Sequence, residues 1–204
     1  MSIAEKSAET TRAIRNLISV EDYLAAELDG DVRHEYVGGV VYEMTGAKNV
    51  HATISLNIAA YLHIRLRGKR CRPFNNDTKI RIRLPTDLRF YYPDVSVTCN
   101  PGPPHDTYQD EPSVVIEVLS RSTRRIDLGE KKDAYLTIPS LNVYLLVEQE
   151  RAEVVALRRT EQGFVREFYQ GLDAVVPLVE IDSELPLKEI YEAVEFVPEP
   201  DRTE

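Results

Sequence analysis

A glutamate inside an apolar run is the feature that most constrains this chain. Residues 113–120 read SVVIEVLS, with Glu117 flanked on both sides by valine, isoleucine or leucine. A β-branched, apolar run of this length is typical of a strand buried on both faces of a sheet. An ionised carboxylate is costly there unless it is paired. We therefore expect a cationic partner for Glu117, or else a strand whose Glu117 face is exposed.

The order of predicted elements indicates a mixed fold. A short helix capped by Ser19 comes first, then a hairpin at the Gly38-Gly39 pair and an amphipathic helix that ends near Gly68. Strands follow, then a helix that ends near Pro139, three strands (NVYLLVEQ, AEVVALRRT, FVREFYQ) and a closing helix (LPLKEIYEAV). We predict an α/β or α+β domain with a central mixed sheet flanked by helices.

Length and composition favour one domain. The chain has 204 residues, of which 43% are hydrophobic, enough for a core of ordinary size. We expect a single domain at 19–195, a flexible lead-in at 1–18 and a frayed acidic tail at 196–204. No apolar run approaches the roughly 20 residues of a membrane span, so we expect no membrane-spanning segment.

Cysteine usage predicts the compartment. The two cysteines, Cys71 and Cys99, lie in different segments and lack the spacing of metal ligands. The N-terminal residues are polar and mixed in charge, which is not typical of a secretory signal. We expect reduced, half-buried thiols in a cytoplasmic protein.

The net charge of −9 argues against non-specific binding of nucleic acid, but the charge is uneven. Residues 65–89 contain nine basic and two acidic side chains. This basic stretch is compatible with a groove that faces phosphates. It is equally compatible with a solvated surface whose charge balances that of acidic residues elsewhere in the chain. The basic residues are Arg65, Arg67, Lys69, Arg70, Arg72, Lys79, Arg81, Arg83 and Arg89.

Asp94 is the first candidate partner of Glu117. It follows Pro93, which removes a backbone donor and so indicates a strand start, a bulge or an edge. Twenty-three residues separate Asp94 from Glu117, enough for a loop between two neighbouring strands. Two carboxylates side by side repel unless a cation bridges them, and a hard divalent ion such as Mg²⁺ prefers such ligands. The alternative for Asp94 is an ordinary turn residue.

Lys131 is the second candidate partner. Asp127, Lys131 and Tyr135 are spaced four apart and would share one face of the helix that follows the Glu117 strand. Lys131 could then bring an ammonium group to the carboxylates, where it orients a water or stabilises charge on a phosphate. The alternative is an Asp–Lys pair on the surface, worth a few tenths of a kcal/mol.

Two further side chains complete the set of candidates. Glu35, early in the predicted hairpin, is either a further acidic member of the site or a solvent-facing strand residue. His51 begins the second helix, where it either touches a substrate phosphate or is an ordinary residue at a helix end.

Taken together and in order, these segments resemble a known family. YYPDVSV, VIEVLSRST and DLGEKKDAYLTIPSLNVYLLVEQ, preceded by EYVGGVVYEM, HATISLNI and NNDTKIRI, are similar to the bacterial Uma-type restriction endonucleases, a domain family of unknown function. That family belongs to the PD-(D/E)xK nuclease superfamily, with its restriction-endonuclease-like fold. The resemblance covers about residues 20–187.

The resemblance implies an Mg²⁺-dependent endonuclease that hydrolyses DNA, with Mn²⁺ as a possible substitute. It implies that Asp94 and Glu117 bind the metal ion and that Glu35 is a further acidic residue of the site. It also implies a homodimer, because enzymes that cut both strands usually carry two active sites. For contacts to the DNA backbone, His51, Lys79, Arg81 and Arg83 are the candidates.

One position departs from the superfamily pattern. The usual lysine lies two residues after the second acid, and Leu119 occupies that place. Either Lys131 supplies the amine from the next helix, or catalysis is lost and the chain is a nucleic-acid-binding or protein-interaction module of the same fold. A small-molecule hydrolase is a third reading, but no nucleophile elbow or glycine-rich phosphate loop supports it.

Overall fold

The computed structural model of the protein describes residues 17–44, 46–121 and 124–196. The chain divides into two compact units. Unit 1 comprises the residues up to Gly46 together with Arg81–Tyr91, and unit 2 comprises Ala47–Ile80 and the residues from Tyr92 onward. The predicted lead-in and tail lie mostly outside the described residues, and the single-domain boundaries stay a prediction.

Helix α1 of unit 1, Val20–Asp29, follows the sequence signals closely. Ser19 is its N-cap, and its hydroxyl accepts a hydrogen bond from the amide of Asp22 at 3.0 Å, satisfying one of the free donors of the first turn. The helix ends at Gly30.

The predicted hairpin of unit 1 is also confirmed. Gly38 and Gly39 have φ angles of +56° and +98°, in the region where a residue with a Cβ is strained. Strand β1 pairs on its other side with β5. The strands are β1 (His34–Val37), β2 (Val40–Glu43) and β5 (Leu88–Tyr91). The amide of Ile18 donates to Gly39 at 2.9 Å, which ties the chain before α1 to this hairpin.

Unit 2 is built on a six-stranded mixed sheet in the order β11-β10-β9-β8-β6-β3. Only β8 and β9 run parallel; the other pairs are antiparallel. All eight residues of β8 are buried, as the SVVIEVLS run predicted. The strands are β3 (Arg72–Asn75), β6 (Val95–Thr98), β8 (Pro112–Leu119), β9 (Val143–Glu148), β10 (Glu153–Thr160) and β11 (Gly163–Gln170).

Helix α2, Asn49–Arg65, covers one face of this sheet. Ile54, Ile58 and Leu62 recur every fourth residue, so they form one apolar stripe that packs into the main core. No helix in the described part of the chain combines the length and the apolarity that a membrane crossing requires.

The segment after β8 is not the regular helix that its spacing predicted. It consists of α3 (Arg124–Ile126), a π-helical turn (Asp127–Lys131) and α4 (Lys132–Tyr135). A π turn inserts an extra residue into the helical repeat and is frequent at functional sites. The side chains of Asp127, Lys131 and Tyr135 are all buried.

Several short elements were not predicted. Strand β3 and the hairpin of β12 and β13 are absent from the sequence interpretation, and the closing helix α5 has only four residues. Strand β4 passes from unit 2 into unit 1, and its first two residues pair with β7. The strands that were not predicted are β7 (Tyr108–Gln109), β12 (Val175–Leu178) and β13 (Ser183–Pro186), with a 3-10 turn at Val179–Ile181. Strand β4 (Lys79–Arg83) is the strand predicted for TKIRIRLP, and α5 (Leu187–Ile190) is the shortened closing helix.

The expectation of reduced thiols was wrong. Cys71 and Cys99 form a disulfide that joins the ends of β3 and β6. The antiparallel register pairs Arg72 with Thr98, so the next residue outward on each strand is a cysteine. Strand β3 has no clear strand signal of its own, so the spacing of the two cysteines does not predict that they meet.

Candidate active site

Asp94 and Glu117 meet at one end of the central sheet. Strands β6 and β8 are antiparallel neighbours with Val95 opposite Ile116, which brings the residue before β6 beside Glu117. The amide of Val118 donates to Asp94 Oδ2 at 2.7 Å, and the amide of Asp94 donates to Glu117 Oε2 at 3.4 Å. Each carboxylate therefore accepts a backbone hydrogen bond from the other segment, which fixes their relative position.

His51 contacts the same oxygen of Asp94. Its Nε2 lies 3.2 Å from Asp94 Oδ2, because the first turn of α2 lies beside the end of the sheet that carries Asp94. Burial alone would lower the pKa of His51. The hydrogen bond and charge of Asp94, with smaller contributions from the Val118 backbone and Asp127, outweigh burial and raise that pKa above its usual value.

Lys131 lies between two buried carboxylates. Its Nζ is 3.8 Å from Glu117 Oε1 and 3.7 Å from Asp127 Oδ1. The side chains of Glu117 and Asp127 are only 5% and 3% exposed, so both charges are largely removed from water. The cationic partner that the buried glutamate required is thus present, and it is shared with a second acid.

The π-helical turn positions this amine. Tyr144 of β9 donates its hydroxyl to the backbone oxygen of Asp127 at 3.1 Å, and its ring packs against Tyr135 with 5.5 Å between centroids. These contacts hold the turn against the sheet face that carries Glu117. Leu119 points to that same face two residues later and is buried, so the amine comes from the turn and not from the strand.

The remaining predicted residues belong to strands β1 and β4. Glu35 lies on β1 opposite Tyr42 in unit 1. Arg81 and Arg83 belong to the part of β4 in unit 1, where Arg83 is exposed. Lys79, in unit 2, is 3% exposed and donates to the hydroxyl of Tyr92 at 3.0 Å. Contacts of these residues to DNA stay predictions.

The donor set fits a hard divalent cation that keeps several water ligands. Asp94 and Glu117 offer carboxylate oxygens from adjacent strands, the ligand type that Mg²⁺ takes. In the described ranges, no group of three or more histidine, cysteine, aspartate or glutamate side chains is arranged to hold a metal ion. Mg²⁺ is often held by one or two carboxylates, with water as its other ligands.

Sequence reasoning missed two features of this cluster. The contact between His51 and Asp94 joins residues 43 positions apart on different elements, and no spacing rule reveals it. Asp127 was noted only as a helix neighbour of Lys131, although it is as buried as Glu117. The neighbours of Asp127 gave no usable signal, since Ile126 and Leu128 are themselves exposed.

The chain matches a protein-family model over residues 20–190. That model is Uma2, described as "Putative restriction endonuclease". The match covers most of the chain and includes every residue of the cluster described above.

Two curated relatives come from Synechocystis sp. The protein named "Uncharacterized protein slr1290" is 35% identical over 147 residues, which cover 72% of this chain and 76% of that protein. "Uncharacterized protein sll1609" is 28% identical over 140 residues, covering 67% and 78%.

A crystal structure from Anabaena variabilis, of a protein described as a putative nuclease belonging to DUF820, has the same fold. Its TM-score is 0.67 at 16% identity, over 87% of this chain and 99% of the other. At that identity the likeness concerns the fold alone, and it agrees with the restriction-endonuclease-like core expected from the sequence.

Proposed function

Because the chain belongs to the Uma2 family, we propose that it is a metal-dependent endonuclease that hydrolyses phosphodiester bonds of DNA. One observation carries the proposal: the buried carboxylate of Glu117, the half-buried carboxylate of Asp94 just before the neighbouring strand and one lysine ammonium converge at the end of the sheet. Their hydrogen bonds and ion pairs join Asp94, Glu117 and Lys131 in one cluster. A purely structural role does not require two acids locked side by side.

Asp94 and Glu117 bind the divalent ion, Mg²⁺ or in its place Mn²⁺. When bound, this ion would polarise a phosphoryl oxygen and lower the pKa of a coordinated water. The backbone hydrogen bonds from Val118 and Asp94 hold the two carboxylates in place before the ion arrives, so little rearrangement accompanies binding.

Lys131 supplies the amine that the superfamily pattern places at the position of Leu119. Its ammonium orients the attacking water or stabilises negative charge that develops on the phosphate. His51, in the first turn of α2, holds Asp94 through Oδ2 and is a further candidate for contact with a DNA phosphate. Glu35 is a further acidic candidate, and Lys79, Arg81 and Arg83 are candidates for backbone contacts.

The proposal includes a homodimer, since cutting both strands calls for two sites. It also includes a cytoplasmic location, where chromosomal and invading DNA are found. The Cys71–Cys99 disulfide weighs against a reducing compartment. Counting free thiols in protein that is alkylated at the moment of cell lysis tests this point.

A second candidate is a non-catalytic module of the same fold that binds nucleic acid or another protein. The observation that favours it is Leu119, buried where the superfamily's lysine would stand. On this reading Lys131 only neutralises Glu117.

Calorimetry with Mg²⁺ and Mn²⁺ combined with a plasmid cleavage assay separates the two. We expect the wild type to bind the ion and to nick DNA, and Glu117→Gln to lose both. Glu161→Gln, in the exposed turn between β10 and β11, is the matched control and should behave as wild type. Ion binding without cleavage, together with retention of DNA in Ca²⁺, would favour the non-catalytic module. Absence of any ion binding would remove the nuclease mechanism.

A further inference from the structure

Asp127 is the one buried acid of the cluster to which the proposed reaction assigns no role. It lies on the π-helical turn, and the hydrogen bond from Tyr144 to its own backbone oxygen fixes its position. Its Oδ1 is as close to the Lys131 ammonium as Glu117 Oε1 is, at 3.7 Å against 3.8 Å. The amine is therefore equidistant from two acids, only one of which is a proposed metal ligand.

The position of the ammonium between two acids affects how Glu117 can bind a metal ion. An ammonium group close to Glu117 competes for the same carboxylate oxygen as a divalent cation, because like charges repel at these distances and burial weakens solvent screening. With Glu117 as its single partner, Lys131 would oppose the ion that it is meant to assist. A second carboxylate on the far side offers the ammonium another partner without removing it from the site.

We propose that Asp127 is a positioning residue that takes over the Lys131 ammonium when a divalent ion occupies Glu117. The inference rests on the proposed function. Lys131 neutralises Glu117 in the metal-free protein and pairs with Asp127 in the metal-bound protein. The π turn contributes by placing both side chains inward, on the sheet face that carries Glu117.

A double-mutant cycle on Mg²⁺ affinity, measured by calorimetry, tests this inference without any activity readout. Asp127→Asn should weaken binding about tenfold, since the amine then stays on Glu117. Asp127→Glu keeps a charge and should stay within about threefold of wild type. Lys131→Gln should bind Mg²⁺ more tightly than wild type. In the Lys131→Gln background, Asp127→Asn should change the affinity by less than about threefold.

The matched control is Asp133→Asn on the same helical segment. Asp133 also pairs with a lysine, Lys132 at 3.1 Å, but is 73% exposed, so its loss should leave the affinity unchanged. An Asp127→Asn effect of equal size in both backgrounds would overturn the inference, because Asp127 would then act only through its own charge. If Asp127→Asn does not fold, Lys131→Gln decides: unchanged or weaker binding overturns the proposal.

The outcomes for the two proposals are distinct. Failure of the wild type to bind Mg²⁺ through Glu117 removes the proposed function, and with it the basis of this inference. Binding that depends on Glu117 but gives an additive cycle leaves the nuclease proposal intact and removes only the role of Asp127.

Discussion

Unit 2 contains two ionic clusters that hold their cation in different ways, a half-buried one around Arg158 and a buried one around Lys131. Around Arg158 of β10, the guanidinium donates to Glu167 at 2.9 Å, to the backbone oxygen of Pro177 at 2.7 Å and to Glu180. Around Lys131, the ammonium lies 3.7 and 3.8 Å from its two carboxylates, beyond hydrogen-bond distance. Each cluster places one cation against two acids.

The difference lies in how tightly the cation is held. A planar guanidinium directs its donors at fixed angles and closes the Arg158 cluster with short hydrogen bonds. A lysine ammonium is a point charge on a flexible stem, and here it lies farther from both carboxylates than the guanidinium does from its partners. The Arg158 cluster is therefore suited to stability, whereas the role proposed for Asp127 requires the Lys131 ammonium to move between Glu117 and Asp127.

The largest loss of stability should come from removing the cation of the Arg158 cluster. We expect Arg158→Met to lower the free energy of unfolding by about 2 kcal/mol, because it leaves two half-buried carboxylates without their cation, at a cost that solvent screening keeps below that of a fully buried pair. Urea denaturation followed by circular dichroism measures this change. Arg166→Met, an exposed position on β11, is the control and should stay near wild type. A loss no larger than that of the control would show that the Arg158 cluster contributes little to stability.

Neutralising one acid should change the stability in opposite directions in the two clusters, and by less than the loss of Arg158. Glu167→Gln should destabilise the protein by about 1 kcal/mol, since it weakens a charge-assisted hydrogen bond to Arg158. Glu117→Gln should stabilise the metal-free protein by about 1 kcal/mol, since it removes a negative charge from a cluster with an excess of acids and still leaves Lys131 paired with Asp127. Thermal unfolding with EDTA present gives both values. If both variants destabilise the protein, the two clusters do not differ in their balance of charges.

The smallest effect is the pH dependence of the stability that Glu167 contributes to the Arg158 cluster. Burial alone would raise the pKa of Glu167, but its hydrogen bonds to Arg158 and Tyr169 outweigh burial and hold that pKa below the usual value of 4.5. A lowered folded-state pKa contributes stability above the unfolded value, and this contribution disappears as the pH falls through the folded value. The stability gap between wild type and Glu167→Gln should therefore be full at pH 6 and shrink toward pH 3.

Urea midpoints across this pH range, with Glu161→Gln as the exposed control, measure the gap. A constant gap would mean that Glu167 contributes through packing and not through its charge.

Much of the framework follows from local signals in the sequence. Ser19 and Gly30 bound α1 because capping and helix termination are decided within one turn. The Gly38-Gly39 pair specifies the hairpin because its φ angles exclude most other residues. The run around Glu117 identified the central strand because only an interior strand accepts so many apolar residues in succession. The same argument predicted a cationic partner, and the spacing of Asp127, Lys131 and Tyr135 in the following helix made Lys131 a candidate for it.

Long-range pairing could not be read in the same way. Cys71 and Cys99 were assigned as thiols because the partner strand β3 has no strong apolar alternation of its own. The π turn escaped notice because its residues have the spacing of an ordinary α-helix. His51 reaches Asp94 only because α2 begins beside the end of the sheet at which β6 begins.

By itself, the sequence determined that this chain folds around a buried strand with a charged residue in it, since the cost of burying Glu117 holds in any fold. The tertiary structure decided which groups meet that cost. Strand register placed Asp94 beside Glu117, and the π turn gave the Lys131 ammonium two acids at equal distance. Those choices depend on elements far apart in the chain, whose relative placement is set by packing of the whole core and not by local propensity.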